Sequence, residues 1–183
     1  MDPRWKLTIF SIKGYIPHDN ARNTAVKSFL KTDCDYILFI DSDIVPPQEA
    51  LEKLMSADVD IISPLCPILK ADDQGHMAPT IVAGRYTDDG KQYKTYYGTG
   101  VEEVDFLTGG MQLIKREVME KLEVPYYFEY KKGIMIHSED VMFSKQCQEI
   151  GYKLYTDFSL FCSHFKELNI RDYHAVLSKM KYK

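Results

Sequence analysis

The 183-residue sequence is short of several things, and each shortage excludes a class of protein. Its four cysteines, Cys34, Cys66, Cys147 and Cys162, stand far apart, without the paired spacing of a zinc site. They read as reduced, buried thiols of a cytoplasmic protein rather than a disulfide framework. Basic residues are not in excess: 23 Lys and Arg against 27 Asp and Glu give a formal net charge of −4. No basic stripe offers a footprint for nucleic acid. No apolar run reaches the roughly 20 residues that a membrane-spanning helix needs. Met1-Asp2-Pro3-Arg4 leads into a strand-like segment and not into the apolar centre of a signal peptide. Internal repeats and low-complexity linkers are missing too, so the expected organisation is one domain over residues 1–183, long enough to bury a sizeable core.

What is present has a clear order. Lys6 to Lys13 alternates like a strand, and a loop follows. Asp19 or Asn20 caps a helix whose apolar positions, Ala21, Ala25, Val26, Phe29 and Leu30, share one face. Tyr36 to Ile40 is a short, continuously apolar strand of the kind covered on both sides. Pro46-Pro47 opens a helix with Leu51, Leu54 and Met55 inside, and Val59 to Ser63 is the next strand. Strand, helix, strand, helix, strand predicts an α/β fold with a mainly parallel central sheet and right-handed crossovers, with helices on both faces.

The middle of the chain differs. Two strands around Asp88-Asp89-Gly90 predict a small β-hairpin insertion. Val104 to Leu122 reads as a strand, a break at Gly109-Gly110, a second strand and a helix. Ser138 caps a helix that stops at Gly151. A last strand runs into His164, and Ile170, Tyr173, Val176, Leu177 and Met180 line one face of a lysine-rich tail. Thirteen tyrosines and nine phenylalanines are many for this length and suit a site that stacks sugars or bases as well as a core.

Asp41 and Asp43 follow the apolar strand directly. In an open parallel sheet, ligands bind beyond the carboxyl ends of the strands. In an extended stretch, residues two apart point the same way. Both carboxylates would then face one crevice, where a hard divalent cation, Mg²⁺ or Mn²⁺, relieves their repulsion and leaves places open for phosphate oxygens. Asp-Ser-Asp is equally a good turn sequence. Glu139 and Asp140 open a helix, where the N-terminal dipole alone favours negative charge.

These segments together resemble nucleotide-sugar glycosyltransferases with the A-type fold, and within them the family 2-like phage and bacterial type. The resemblance rests on "DYILFIDSDIVPPQEALEKL", "ARNTAV", "VDFLTGGMQLIKREV" and "SEDVMFSKQCQEIGYKLYTD", four segments in the same order between Asn20 and His164. It implies a single Rossmann-like domain, with residues 1–67 as the nucleotide and metal half, 68–164 as the acceptor and catalytic half, and 165–183 as an amphipathic C-terminal helix. It implies transfer of a sugar from a nucleotide-diphosphate donor to an acceptor hydroxyl, with inversion and with Asp140 as the base and Glu139 helping to orient the acceptor. Asp43 would ligate Mn²⁺ or Mg²⁺ directly. Asp41 would reach the metal or the donor's sugar or ribose, and His164 would complete the metal shell. Arg22 and Asn23 would meet the diphosphate or base, Gly109 and Gly110 would let backbone approach the donor, Thr108 would bond a sugar hydroxyl, and His137 would line the acceptor side. His18, His76, His137 and His174 have no counterpart in the family's metal shell, and the place of His137 on the acceptor side follows only from its position before the acidic pair.

The implied partners are a nucleotide-sugar and a glycan, lipid or protein acceptor, with no nucleic acid. The tail offers a membrane-surface contact through its basic amphipathic helix. Lys6 to Lys13 aligns with the family's second strand, so one strand of the nucleotide pocket is missing, and the sheet edge that leaves invites a homo-oligomer. The same shortage supports an alternative, a non-catalytic glycan- or nucleotide-binding protein on this scaffold. A nucleotidyltransferase also pairs aspartates with a metal, but the glycine-rich or basic phosphate loop of that class is not visible near the start.

Overall fold

A computed structural model of the chain describes residues 5–12, 17–71, 77–81, 83–87, 93–132 and 135–165. The elements run α1 (His18–Phe29), β1 (Tyr36–Ile40), β2 (Ile44–Val45), α2 (Ala50–Ser56), β3 (Ile61–Leu65), β4 (Pro67–Ala71), β5 (Met77–Ile81), β6 (Gly84–Tyr86) and β7 (Tyr93–Thr95). There follow β8 (Val101–Val104), β9 (Met111–Lys115), α3 (Arg116–Lys121), β10 (Tyr130–Lys132), β11 (Met135–His137), α4 (Glu139–Glu149), β12 (Leu154–Phe161) and β13 (Ser163–His164).

The central sheet has five strands in the order β1-β9-β3-β12-β8. It is mostly antiparallel, which corrects the expectation of a mainly parallel one. β9 lies antiparallel between β1 and β3, β8 is antiparallel to β12, and only β3 and β12 form a parallel pair. The expected directions nevertheless hold for three strands, since β1, β3 and β12 all run the same way. A strand–helix–strand pattern records the direction in which the chain returns but not which later strand slips between. Here β9 pairs residue for residue with β1, from Tyr36 opposite Lys115 to Ile40 opposite Met111.

Helices cover both faces, as expected. On one face Val26 and Phe29 of α1, Val118 and Met119 of α3, and Phe143 and Cys147 of α4 meet Phe39, Ile61, Ile114 and Leu154 of the sheet. On the other, Ala50 and Leu54 of α2 meet Ile62, Met111, Leu113 and Leu160. Ile61 and Ile62, or Leu113 and Ile114, serve opposite cores because successive side chains on a strand alternate.

Several boundaries move. Residues 6–12 of the expected first strand form no regular structure, and Leu7, Ile9 and Phe10 are exposed. α1 starts at His18, after an extended Pro17 and without a side-chain cap. α2 starts at Ala50 rather than at Pro46, because Pro47 first closes a turn with its carbonyl accepting from the Ala50 N–H at 3.0 Å. The hairpin insertion is there as β6 and β7, its turn lying outside the described residues, and a further hairpin of β4 and β5 precedes it. The C-terminal tail also lies outside the described residues. Among the described residues no helix is long and apolar enough to cross a membrane.

Phe143 is wholly buried and stacks on Tyr127 with ring centroids 4.6 Å apart. Phe143→Ala should lower unfolding stability by about 3–5 kcal/mol, read as a shift of the urea midpoint.

Candidate functional site

One edge of the sheet gathers nearly all the residues singled out in the sequence. β1, β3 and β12 end there, and β9, running the other way, begins there. The Asp41 N–H donates to the Gly110 carbonyl at 2.9 Å, which sets the glycine pair beside the aspartate turn. The Cys162 N–H donates to the Leu65 carbonyl at 2.8 Å, so β3 and β12 finish together.

Asp41, Ser42 and Asp43 are not extended. The Ile44 N–H donates back to the Asp41 carbonyl at 3.0 Å, closing a turn. The two carboxylates therefore take different partners instead of facing one crevice together. Asp43 goes to His164, with Oδ2 3.0 Å from Nε2. β2 and β13 make this meeting, pairing Ile44 with His164, and the Phe165 N–H donates to the Asp43 carbonyl at 2.7 Å. Asp41 goes to Arg22, whose Nη2 lies 3.2 Å from Oδ1 and 3.4 Å from Oδ2. Of the three residues expected around a metal, the structure brings together Asp43 and His164 and turns Asp41 onto the guanidinium.

The Asp43–His164 pair has the chemistry of a cation site. Nδ1 of His164 donates to the Pro67 carbonyl at 2.6 Å, which orients the ring. In a neutral imidazole Nε2 then carries the lone pair, and it is aimed at a carboxylate oxygen. Two acceptors at 3.0 Å need a proton or a cation between them. An octahedral ion with bonds of about 2.1 Å holds neighbouring ligands about 3.0 Å apart, so the pair suits Mg²⁺ or Mn²⁺. A fixed second nitrogen is the usual support of a histidine ligand. Among the described residues no group of three or more His, Cys, Asp and Glu is placed to hold a metal. Oxygens from a ligand would have to complete the shell.

Arg22 sits at the centre of the acidic side. Together with Val26 and Phe29 it forms the buried face of α1, at helical spacing i, i+4 and i+7. Nη2 donates to the Gly109 carbonyl at 2.8 Å as well as to Asp41. Nε lies 3.7 Å from Glu139 Oε1 and 3.9 Å from Asp140 Oδ1. The rings of Phe39 and Tyr127 lie 5.4 and 5.6 Å from its Cζ, close enough for cation–π attraction. Burial works against its charge, but Asp140, Asp41, Tyr127 and Glu139 outweigh it and hold the guanidinium above its ordinary pKa.

Asp140 opens α4 with its side chain 22% exposed. Oδ2 accepts the Gly109 N–H at 2.9 Å, whereas Oδ1 is buried with no hydrogen-bond partner among the described residues. Burial pushes this carboxyl up to about 7, against the pull of Arg22 and with the push of Glu139. Burial also raises Asp41, against the pull of Arg22 beside it. The helix end is tied to the glycine loop a second time: Ser144 Oγ donates to the Asp140 carbonyl at 2.8 Å and accepts the Leu107 N–H at 3.3 Å.

Gly109 has to be glycine for a packing reason. A Cβ there would lie 2.3 Å from Asp140 Oδ1 and 2.4 Å from Arg22 Nη2. Gly110 is nearly as tight, with Cys66 Cβ at 3.0 Å. Other candidates are used by the scaffold. Both ends of the Asn23 amide bind the Tyr127 backbone, Nδ2 to its carbonyl at 2.7 Å and Oδ1 to its N–H at 3.1 Å. Thr108 is buried, with Oγ1 accepting the Gly110 N–H at 3.3 Å. His137 stands just before Glu139, its Nδ1 buried without a partner among the described residues. Tyr127, which the sequence reading passes over, binds Arg22 by its ring and Gln112 Oε1 by its hydroxyl at 3.0 Å. No local pattern marks it.

The comparisons with known proteins bear on the fold. Residues 19–86 match the family model Anp1, a span that holds α1, both aspartates and β3. No curated protein sequence matches. Among solved structures, the chain resembles A197 from STIV, with 23% identity and a TM-score of 0.52 over 81% of this chain and 68% of that one. It also resembles GalNAc-T7, crystallised with UDP, GalNAc and Mn²⁺, at 16% identity and a TM-score of 0.54 over 83% of this chain. The chain spans 30% of that protein's length. At these identities the likeness is one of fold, and the fold is glycosyltransferase-like. The narrower family 2-like phage or bacterial type is not distinguished.

Two measurements follow from this geometry. Gly109→Ala should lower stability by about 1–3 kcal/mol through overpacking, seen in a denaturant melt. Asp140 binds its proton more tightly folded, at about 7, than the usual 3.8 of an unfolded aspartate. Its contribution is therefore most favourable below the unfolded value and is lost as pH rises through the folded one. The melting temperature of the wild type should fall between pH 5 and pH 8 by an amount that Asp140→Asn removes.

Proposed function

We propose that the chain is a metal-dependent glycosyltransferase that moves a sugar from a nucleotide-diphosphate donor to an acceptor hydroxyl with inversion. One observation carries this reading. A single sheet edge holds a cation-suited pair, Asp43 and His164, together with a separate carboxyl, Asp140, whose acidity is set near neutrality. The glycosyltransferase-like fold and the Anp1 match over the aspartate segment support it.

Asp43 Oδ2 and His164 Nε2 would hold Mn²⁺ or Mg²⁺, with diphosphate oxygens filling further positions. When bound, such a cation supplies Lewis-acid neutralisation of the leaving diphosphate. Asp41, 46% exposed, is available on its open side to the donor's ribose or sugar. Asp140 takes the proton of the acceptor hydroxyl through Oδ2, because Oδ1 has no surface left. The acceptor oxygen forms its bond to the anomeric carbon as the bond to the diphosphate breaks, and the electron pair leaves with the diphosphate. A base near neutrality is well matched to this work, being half ionised where the reaction runs. Glu139, 14% exposed, flanks the base and orients the acceptor.

One observation favours a second reading, a non-catalytic glycan- or nucleotide-binding protein: residues 5–12 add no strand beside β1 where a nucleotide pocket would extend. Thermal melts with Mn²⁺ and UDP-, GDP- or dTDP-sugars separate the two when read alongside release of the nucleoside diphosphate. The transferase should be stabilised only by metal and nucleotide together, should lose that in Asp43→Ala, and should release diphosphate. In Asp140→Asn, release should fall about 10²–10⁴-fold while the melt shift stays. Full release in Asp140→Asn would remove the base assignment, and a melt shift with no release under any donor would favour the binding protein.

A further inference from the structure

The family resemblance implies that Arg22 meets the donor's diphosphate or base, but the structure turns its side chain inward. Its side chain is 8% exposed. Its nearest polar groups come from three other segments: the turn after β1, the loop before β9 and the first residues of α4. Asp41 is 19 positions away in the chain and Gly109 is 87 away, so nothing local brings these groups together.

We propose that Arg22 is a positioning residue and not a donor contact: one planar cation that holds the aspartate turn, the glycine loop and the acidic end of α4 in a single frame, and so sets where Asp140 stands relative to Asp43 and His164. The geometry makes the frame tight. Gly109 gives its carbonyl to Arg22 and its N–H to Asp140, and no Cβ fits between them. Phe39 and Tyr127 wall the guanidinium, and Tyr127 is itself fixed by Phe143, Gln112 and Asn23. Three carboxylates of one sign converge here, and without the cation they would repel one another apart. Lysine would keep the charge but has one nitrogen, not the guanidinium edge that meets Asp41 and the Gly109 carbonyl through Nη2 while Nε faces the carboxylates of α4 at ion-pair distance.

The kinetic arm of the test rests on the transferase reading, and the spectroscopic arm does not. The variants are Arg22→Lys, which keeps the charge, and Arg22→Met, which keeps only the stem. With an active nucleotide-sugar, Arg22→Lys should lower turnover about 10²-fold, the size expected for a displaced base. It should leave calorimetric affinity for UDP with Mg²⁺ within about threefold, and in an Asp140→Asn background it should add nothing further. A loss of UDP affinity that matches the loss of turnover would make Arg22 a donor contact and overturn the proposal. So would losses that simply multiply with Asp140→Asn.

The second arm follows the Asp140 carboxyl by ¹³C NMR, with or without turnover. The groups facing it are Arg22 from α1, Glu139 beside it, Asp41 after β1, Tyr127 and the Gly109 N–H. Removing this cation should raise the Asp140 midpoint in Arg22→Met, and displacing it should move the carboxyl shift in Arg22→Lys. An unchanged Asp140 resonance and midpoint in both variants would end the proposal, whether or not a sugar donor is ever found. A wild type that turns over no nucleotide-sugar, yet shows the expected Asp140 shifts, would sink the transferase reading alone.

Discussion

Arg22 brings a positive charge into a place where water no longer screens it, and three carboxylates and a backbone carbonyl close around it. Neither side is stable there alone. A buried guanidinium without acids costs several kcal/mol, and buried acids without the guanidinium cost as much. The stretches that bear them therefore have to arrive together: the second turn of α1, the turn after β1, the glycine loop before β9 and the start of α4. The acidity of Asp140 is a consequence. Its carboxyl is buried enough to be pushed towards neutrality, and Arg22 keeps it from going further.

The hydrophobic layers make this convergence repeatable. α1 and α4 pack on the same face of the sheet, through Val26, Phe29, Phe143 and Cys147, so their N-terminal ends reach the same edge. β9 lies directly against β1, which brings Gly109 and Gly110 beside Asp41. The insertion of β9 makes the sheet mostly antiparallel and is also what completes the site, because a parallel strand in that position would begin at the other end. On the far side of the turn, the short β2–β13 pairing carries His164 back to Asp43.

Much of this was legible in the residues. Tyr36 to Ile40 is apolar enough to read as a strand, and it is β1, but it lies at the end of the sheet, where Phe39 is buried and Ile40 is exposed rather than covered on both sides. Ser138 to Gly151 begins with acids and ends in a glycine at φ +90°, and it is α4. The pairing of Asp43 with His164 was expected from resemblance, not from spacing, since the two are 121 positions apart. Other features were misread for physical reasons. Asp41 and Asp43 read as extended neighbours in the sequence, but a turn splits their directions. Asn23 carries a donor and an acceptor suited to a ligand, but the backbone of Tyr127 takes both, and Thr108 uses an acceptor site on the Gly110 N–H. Arg22 lies at helical spacing from Val26 and Phe29, so its burial was open to reading, but arginine on a helix suggests solvent.

The amino acids alone determined most of the strands and helices, though not the irregular course of residues 6–12 or the β4–β5 and β10–β11 pairs, and they determined that β1 and β3 would run the same way, because burial of apolar side chains at periods of 2 and 3.6 is a local matter. They also determined that acids would stand at a strand end and at a helix start. Only the tertiary structure decided that β9 enters between β1 and β3, that Asp41 serves Arg22 while Asp43 serves His164, and that Gly109 has no room for a methyl group. Those outcomes depend on which distant groups compete for the same few ångströms of unscreened space, and no property of a single stretch of chain contains that competition.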